Sequence, residues 1–231
     1  MFMTRLEIAV ENFEDALAAQ EGGADSIEIA ASLDQNGLTP SWGVVRSIQT
    51  ALQIETHVMI RPTARDFIYT RAEIDLILAQ VRAFAALGVT GVVFGAHTPT
   101  GNLDLGLIRQ VSQALAEAAP AQGPKPILTV HRALDSCVDP HAALAKLVTF
   151  VPRVLSAGHA PNAWEGREDM RRWTSRFGDR ICFVASGGLK ADQLKSYVSY
   201  TKVPVVHLGS AARTEDKIDS AKVRMLRQLI G

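Results

Sequence analysis

Cysteine is nearly absent from the chain: two residues among 231, Cys137 and Cys182, far apart and without a C-x-x-C pair. That scarcity excludes a disulfide scaffold, a zinc ribbon and a thioredoxin-like redox motif, and it suits a reducing compartment. An excess of charge of one sign is also lacking, with 24 Lys plus Arg against 24 Asp plus Glu. Binding to nucleic acid or an anionic membrane by bulk electrostatics is therefore not expected. No run of about 18 apolar residues occurs, and residues 1–10 hold Arg5 but no long apolar stretch, so neither a transmembrane helix nor a signal peptide is expected. These absences predict a soluble cytoplasmic protein whose partners are small molecules or metal ions rather than nucleic acid or membrane.

What is present is a rhythm. Short apolar runs at residues 6–10, 26–30, 55–60, 91–95, 126–131, 153–157, 181–186 and 205–209 read as strands. Between and after them, residues 12–21, 41–52, 71–87, 105–119, 140–150, 164–177, 191–200 and 216–230 carry apolar side chains at helical spacing. Asn12 and the Asp139-Pro140 pair mark helix starts, and Gly88 and Gly178 mark helix ends. Eight strand-then-helix units without a linker predict a single (β/α)8 barrel, a TIM barrel, over residues 1–231. An open doubly wound sheet is the alternative, disfavoured because no G-x-G-x-x-G follows the first strand. The connection at residues 61–70 is long and holds Arg65, Asp66, Phe67 and Tyr69, which makes it a candidate lid or binding element.

Side chains alternate along a strand, so in a barrel every second one faces the lumen. With the aliphatic residues assigned to the helix side, Glu7, Glu28, His57, Met59, Arg61, Thr129, His131 and His207 face inward. So many ionisable groups in one lumen must pair, bind a ligand, or both, because an unpaired buried charge costs several kcal/mol. In the structural version, Arg61 and a protonated histidine neutralise Glu7 and Glu28 in a closed network. The functional version rests on Arg61, His131, Arg132 and Asp135, which fall at or just past strand ends on the face where this fold carries its active sites. There Glu7 or Glu28 would transfer protons with His57 or His131, Arg61 and Arg132 would hold an anionic group, and Asp135 would orient a base. Asp66 and His207 join the ligand-binding set. Small-residue turns after the last two strands, with Ser186, Gly187, Gly188, Gly209 and Ser210, form a candidate phosphate cradle beside Arg213. This set suits an isomerase, epimerase or lyase acting on a small anionic or phosphorylated sugar or carbonyl compound.

Two carboxylates and two histidines could also hold a hard or borderline divalent ion, although no short ligand motif is written. Copper(I) would want thiolate or thioether ligands, and near the open face only Cys137 supplies a thiol; Met59 lies a layer lower. Cys182 reads as a small buried apolar residue at the bottom of the seventh strand. No G-x-S-x-G nucleophile elbow occurs.

The segments Leu6-Glu7-Ile8, Glu21-Gly22-Gly23-Ala24-Asp25-Ser26-Ile27-Glu28, Asn36-Gly37-Leu38-Thr39-Pro40, His57-Val58-Met59-Ile60-Arg61-Pro62 and His131-Arg132-Ala133-Leu134-Asp135 resemble, in order, the copper homeostasis protein CutC family. The later part of the chain is looser, with Ala185-Ser186-Gly187-Gly188 where the family tends to have Pro-Gly-Gly-Gly. The resemblance implies a cytoplasmic (β/α)8 barrel, a homo-oligomer, and a role in copper homeostasis with copper binding. Cys137 matches a cysteine common after the His-Arg-Ala-x-Asp segment and is the metal ligand the resemblance implies, with Met59 and the histidines beside it. One departure is plain: the family often has Ile-Glu-Leu-Cys on the second strand, where this chain has Glu28-Ile29-Ala30.

Overall fold

The computed structural model describes residues 3–231; Met1 and Phe2, at the head of the stretch read for a signal peptide, lie outside the described residues. Eight strands, β1 (Arg5–Val10), β2 (Ser26–Ile29), β3 (Glu55–Met59), β4 (Gly91–Phe94), β5 (Ile127–Val130), β6 (Arg153–Ser156), β7 (Cys182–Ala185) and β8 (Val205–Leu208), pair in parallel and close in sequence order. Helices α1 (Phe13–Glu21), α2 (Trp42–Ala51), α3 (Arg71–Leu87), α4 (Leu105–Ala118), α5 (Pro140–Leu147), α6 (Arg167–Phe177) and α7 (Ala191–Thr201) alternate with them, and α8 (Ser220–Ile230) follows. The fold is the (β/α)8 barrel.

Local sequence sets the ends of these elements. The Asn12 side chain accepts from the N–H of Asp15 at the start of α1, and Thr70 with Glu73 forms a reciprocal capping box on α3. Asp139 caps α5, whose first residue is Pro140, and Gly88 ends α3 with φ +83°. Three boundaries differ from expectation by three or more residues, the first being α5, which ends at Leu147 rather than at residue 150. Residues 164–166 are a turn, so α6 starts at Arg167. Residues 216–219 are not helical either: a two-stranded hairpin, β9 (Arg213–Thr214) and β10 (Lys217–Ile218), precedes α8, turned by Glu215 and Asp216 at positive φ.

Alternation divides the interior in two. Leu6, Ile8, Val10, Ile27, Ile29, Val58 and Ile60 are fully buried against the helices in one continuous apolar layer. Inside the barrel the apolar groups are few, forming two separate clusters, Ala30, Met59 and Val93 on one side and Leu155, Val184 and Val205 on the other. The remaining lumen volume belongs to charged and polar side chains. Two glycines on or next to β4 make room for them. A Cβ on Gly91 would sit 2.9 Å from His57 Nδ1, and one on Gly95 would sit 2.6 Å from the His131 ring. Gly95→Ala must therefore push the His131 ring aside; we expect a loss of about 1–3 kcal/mol, as for other overpacked cores, measured by urea unfolding. Among the described residues no helix is long and apolar enough to cross a membrane.

Candidate active site at the barrel mouth

The lumen is organised around Glu7, which is fully buried. Register explains its neighbours: on β1 it stands opposite Ser26 of β2 and His207 of β8. Ser26 Oγ donates to its Oε2 (3.1 Å), His207 Nδ1 lies 3.0 Å from its Oε1, and Arg153 Nη2 donates to Oε2 at 2.7 Å. Arg153 also donates from Nη1 to Thr129 Oγ1 (3.0 Å). Burial alone would raise the Glu7 pKa, but Arg153, His207 and His57 together hold it well below the usual carboxylate range. The cation that neutralises the lumen is thus Arg153, not Arg61. Alternation along residues 153–157 was the available signal, since with Leu155 in the lumen Arg153 is there too.

His57 lies beside this centre, with Nε2 3.9 Å from Glu7 Oε2, and its Nδ1 is buried without a partner. Burial, then the nearby Arg153, pushes its pKa down to about 4, so it is neutral at pH 7. Neither Glu7 nor His57 lines the cavity above. Both were expected among the proton-transfer groups; the structure places them outside the cavity lining, Glu7 fully buried and His57 nearly so.

That cavity, about 1220 Å³, opens at the C-terminal ends of the strands. It exceeds the ~300–1,000 Å³ usual for small-molecule pockets. Glu28 and His207 reach it from β2 and β8. Glu28 is buried, its Oε2 has no hydrogen-bond partner, and that atom lies 3.8 Å from His207 Nδ1. Burial, reinforced by the Glu7 charge, raises the Glu28 pKa despite His207. Burial works against the charged imidazole of His207, but Glu28 and Glu7 outweigh it and raise its pKa. The two carboxylates therefore split into one held ionised and one held close to its proton, a division that marks acid–base sites. Atoms of Glu7, Glu28 and His207 also lie within 4.8 Å of one another, a spacing that would admit a metal ion.

Around the rim, the expected residues divide sharply. His131 lines the cavity; its Nδ1 accepts from the N–H of Ala133 (3.1 Å), and burial, then Arg61, pushes its pKa down to about 3. Arg132 lines it too, held by its Nε–H to Asp135 Oδ2 (2.8 Å). Asp135 orients no base. Its oxygens are occupied by Arg132, the Ser156 hydroxyl and the N–H groups of Ala157 (2.8 Å) and His159 (3.2 Å), so it ties the end of β6 to the loop after β5. Arg61 is no free anion clamp: its Nη1 donates to the carbonyls of Gln35 (2.7 Å) and Gly37 (3.2 Å), and its Nη2 to those of Ala64 (2.9 Å) and Arg65 (3.0 Å). Only its Nε–H is left unpaired.

Asp66 lies outside the cavity lining, exposed, with Oδ1 accepting from Ile68 N–H (3.1 Å); its neighbour Phe67 is the loop residue that lines the cavity. Cys137 is corrected as well. The residue is 3% exposed, in the apolar layer below the helices and outside the cavity lining, and burial pushes its thiol pKa up to about 11. It closes the five-residue helical turn Arg132–Ser136, its N–H donating to the Leu134 carbonyl. Cys182, half-buried on β7, sits at the opposite end of the barrel near Arg153 and Glu7.

Ser186, Gly187, Gly188, Gly209 and Ser210 all line the cavity, as the turn composition predicts. Gly187 and Gly188 have φ +117° and +72°, which only glycine adopts without strain. Among the described residues no hydrogen bond takes up the N–H groups of Gly187, Gly188, Gly209 or Ser210. Arg213 lines the same wall, but its guanidinium is spoken for by Asp15 Oδ2 (3.0 Å) and the carbonyls of Asp216 (2.7 Å) and Ala9 (3.0 Å). Arg213 therefore adds no free charge there, and the cradle offers backbone dipoles beside the Arg132 guanidinium, whose Nη1 lies 3.5 Å from where a Cβ on Gly187 would stand.

A family model described as the CutC family matches residues 4–212. A relative from Glaesserella parasuis serovar 5, described as a family protein CutC, is 34% identical over 217 residues, covering 94% of this chain and 86% of the relative. Another from Xanthomonas campestris pv. campestris strain 8004, with the same description, is 38% identical over 192 residues, covering 83% and 77%. Among solved structures, a CutC from Streptococcus agalactiae, named for copper homeostasis, superposes with a TM-score of 0.80 at 24% identity over 90% of this chain and 99% of that one. Phosphoribosylanthranilate isomerase from Thermotoga maritima superposes with a TM-score of 0.64 at 16% identity, over 99% and 98% of the two chains, a likeness of fold.

Proposed function

The chain belongs to the CutC family, and from that premise we propose that its barrel mouth is an acid–base site acting on a small anionic, phosphate-bearing sugar or carbonyl compound. The observation that carries this reading is the Glu28 carboxyl, buried on the cavity floor with an unpaired oxygen, a raised pKa, and His207 3.8 Å away. A carboxyl so placed keeps its proton to higher pH than a free one and can take or return it, and His207, anchored by Glu7, holds the second proton. The open N–H groups after β7 and β8 support an anion at one end of the ligand. Proton transfer at a carbon beside a carbonyl, as in an isomerase, epimerase or lyase, is the chemistry this set performs. The two free cysteines accord with a cytoplasmic setting.

The test is a thermal-shift screen of phosphorylated sugars and carbonyl compounds against their unphosphorylated counterparts. The phosphorylated members are expected to stabilise the protein saturably, by about 2.7 kcal/mol at a hundredfold excess over Kd. If inorganic phosphate and every phosphorylated compound leave Tm unchanged, the reading fails. With a binder in hand, Glu28→Gln is expected to keep affinity but slow exchange of its carbon-bound hydrogen with solvent deuterium by about a hundredfold, followed by NMR.

Copper handling is the second reading, favoured by the family's association and by Met59, whose thioether lines the cavity with His131 and His207. The residues present do not fit a copper(I) cage. Cys137 is buried away from the cavity as a high-pKa thiol, and in the Glu7, Glu28 and His207 cluster the Glu7 oxygens and His207 Nδ1 are already engaged with one another and with Arg153. The expected outcome of a copper(I) titration under reducing conditions is no tight binding, with Cys137→Ser indistinguishable from wild type. Stoichiometric tight binding lost in Cys137→Ser would restore the copper reading.

A further inference from the structure

Six buried side-chain polar atoms have no partner among the described residues, and three of them, Glu28 Oε2, Arg61 Nε and His131 Nε2, belong to residues lining the cavity at the barrel mouth. Glu28 is accounted for above. The other two are a different kind of group. Arg61 is 6% and His131 4% exposed, and each keeps one N–H while everything else on it is committed. The guanidinium spends its four Nη hydrogens on four loop carbonyls, leaving only Nε–H. The imidazole accepts from Ala133 N–H at Nδ1, so its neutral form carries its proton on Nε2. Both pack on the same ring: Phe67 lies 4.8 Å from the His131 ring centroid and 5.3 Å from the Arg61 guanidinium carbon.

Leaving two buried donors unmet costs about 1–3 kcal/mol each, which is hard to reconcile with a purely structural wall. We infer that Arg61 Nε–H and His131 Nε2–H form a second oxygen-binding subsite, and that the ligand is two-ended: a phosphate on the β7/β8 cradle and a carboxylate or carbonyl oxygen on this pair. This deepens the acid–base reading and rests on it. The layout of the barrel matches. Arg61 follows β3, four strands from β7 in the closed order, and His131 follows β5. Passing from the cradle around the rim through β8, β1 and β2, His207 and then Glu28 come before Arg61, so the acid–base pair stands between the two anchors. A ligand held at both ends presents its middle carbons to Glu28. Substrates with one anionic end and no oxygen at the other would leave the two donors unmet, which makes the pair a device for selection as well as for polarising a carbonyl.

The probes are inorganic phosphate, which meets the cradle alone, and phosphoglycolate, which carries a phosphate and a carboxylate. Phosphoglycolate is expected to bind wild type at least roughly tenfold tighter than phosphate, the gain from hydrogen bonds to a charged group. His131→Asn keeps an oxygen to cap Ala133 N–H but has no donor at the Nε2 position. It should leave phosphate affinity unchanged and erase most of the gain for phosphoglycolate. In wild type, the Nε2–H resonance of His131 should shift on adding phosphoglycolate and not on adding phosphate, a readout that stands even where the variant is unstable. Equal affinity for the two probes, or a gain that survives in His131→Asn, overturns the second subsite while sparing the cradle. Failure of both probes to bind wild type overturns the cradle and the two-ended ligand together.

Discussion

Arg153→Met is expected to cost the fold about 3–5 kcal/mol, the range for removing one partner of a buried ion pair. The reason lies in what it leaves behind. Glu7 is fully buried, and Arg153 supplies its shortest contact, 2.7 Å, and its main neutralising charge. Without the guanidinium, Glu7 must either stay ionised in the lumen against a large desolvation cost or take up a proton and weaken its bond to His207. Either outcome reaches the cavity, because His207 stands between Glu7 and Glu28. The double variant Glu7→Leu with Arg153→Met removes both charges and should recover most of the loss, since a buried pair replaced by apolar groups is often neutral or better. Urea unfolding at pH 7 of the two single variants and the double one measures the coupling. Additive losses would mean that the pair contributes nothing beyond its separate parts.

The barrel itself is legible from sequence because its determinants are local. Alternation in six or fewer residues sends Ile27 and Ile29 to the helices and Glu28 to the lumen, and Asn12, Thr70 or Asp139 caps a helix with its own side chain. The same rule correctly brings Glu28, His131 and His207 to one cavity. It fails where the outcome depends on what arrives from elsewhere in the chain. Arg61 faces the expected way, yet four carbonyls from residues 35–65 converge on it, and nothing in its own neighbourhood announces that. Asp135 looks like a partner for a base, but backbone N–H groups of residues 157 and 159 reach it first. The height of a residue in the lumen is likewise a matter of register between strands, which leaves Glu7 outside the cavity lining and brings Glu28 into it although their sequence settings are alike.

Acidification from pH 7 to about 4 should remove several kcal/mol of stability, most of it through two histidines. His57 and His131 have folded pKa values of about 4 and about 3, against 6.5 for an exposed imidazole. Below pH 6.5 the unfolded chain binds these two protons and the folded chain does not, so stability falls as pH falls until the folded values are reached. Each pKa unit is worth about 1.4 kcal/mol, and two open protons give a limiting slope of nearly twice that per pH unit. Glu28 opposes the trend. Its raised pKa makes the folded state take up a proton before the unfolded one, which adds stability as pH drops toward 4.5. The raised pKa of His207 contributes stability that is complete below pH 6.5 and is lost only as pH climbs through its folded value, so it adds no slope in the acid window. Glu7, held well below the carboxylate range, joins the loss only below pH 4.5. The net expectation is a decline that sets in below pH 6.5 and runs to about pH 4; below that the folded histidines protonate as well and their share fades, while Glu7 carries the loss further. Urea unfolding across that range measures it, and His57→Gln, which removes one of the two proton sites, should flatten the slope by about one proton. A stability that stays level from pH 7 to pH 5 would mean that water or local opening lets the buried rings protonate in place.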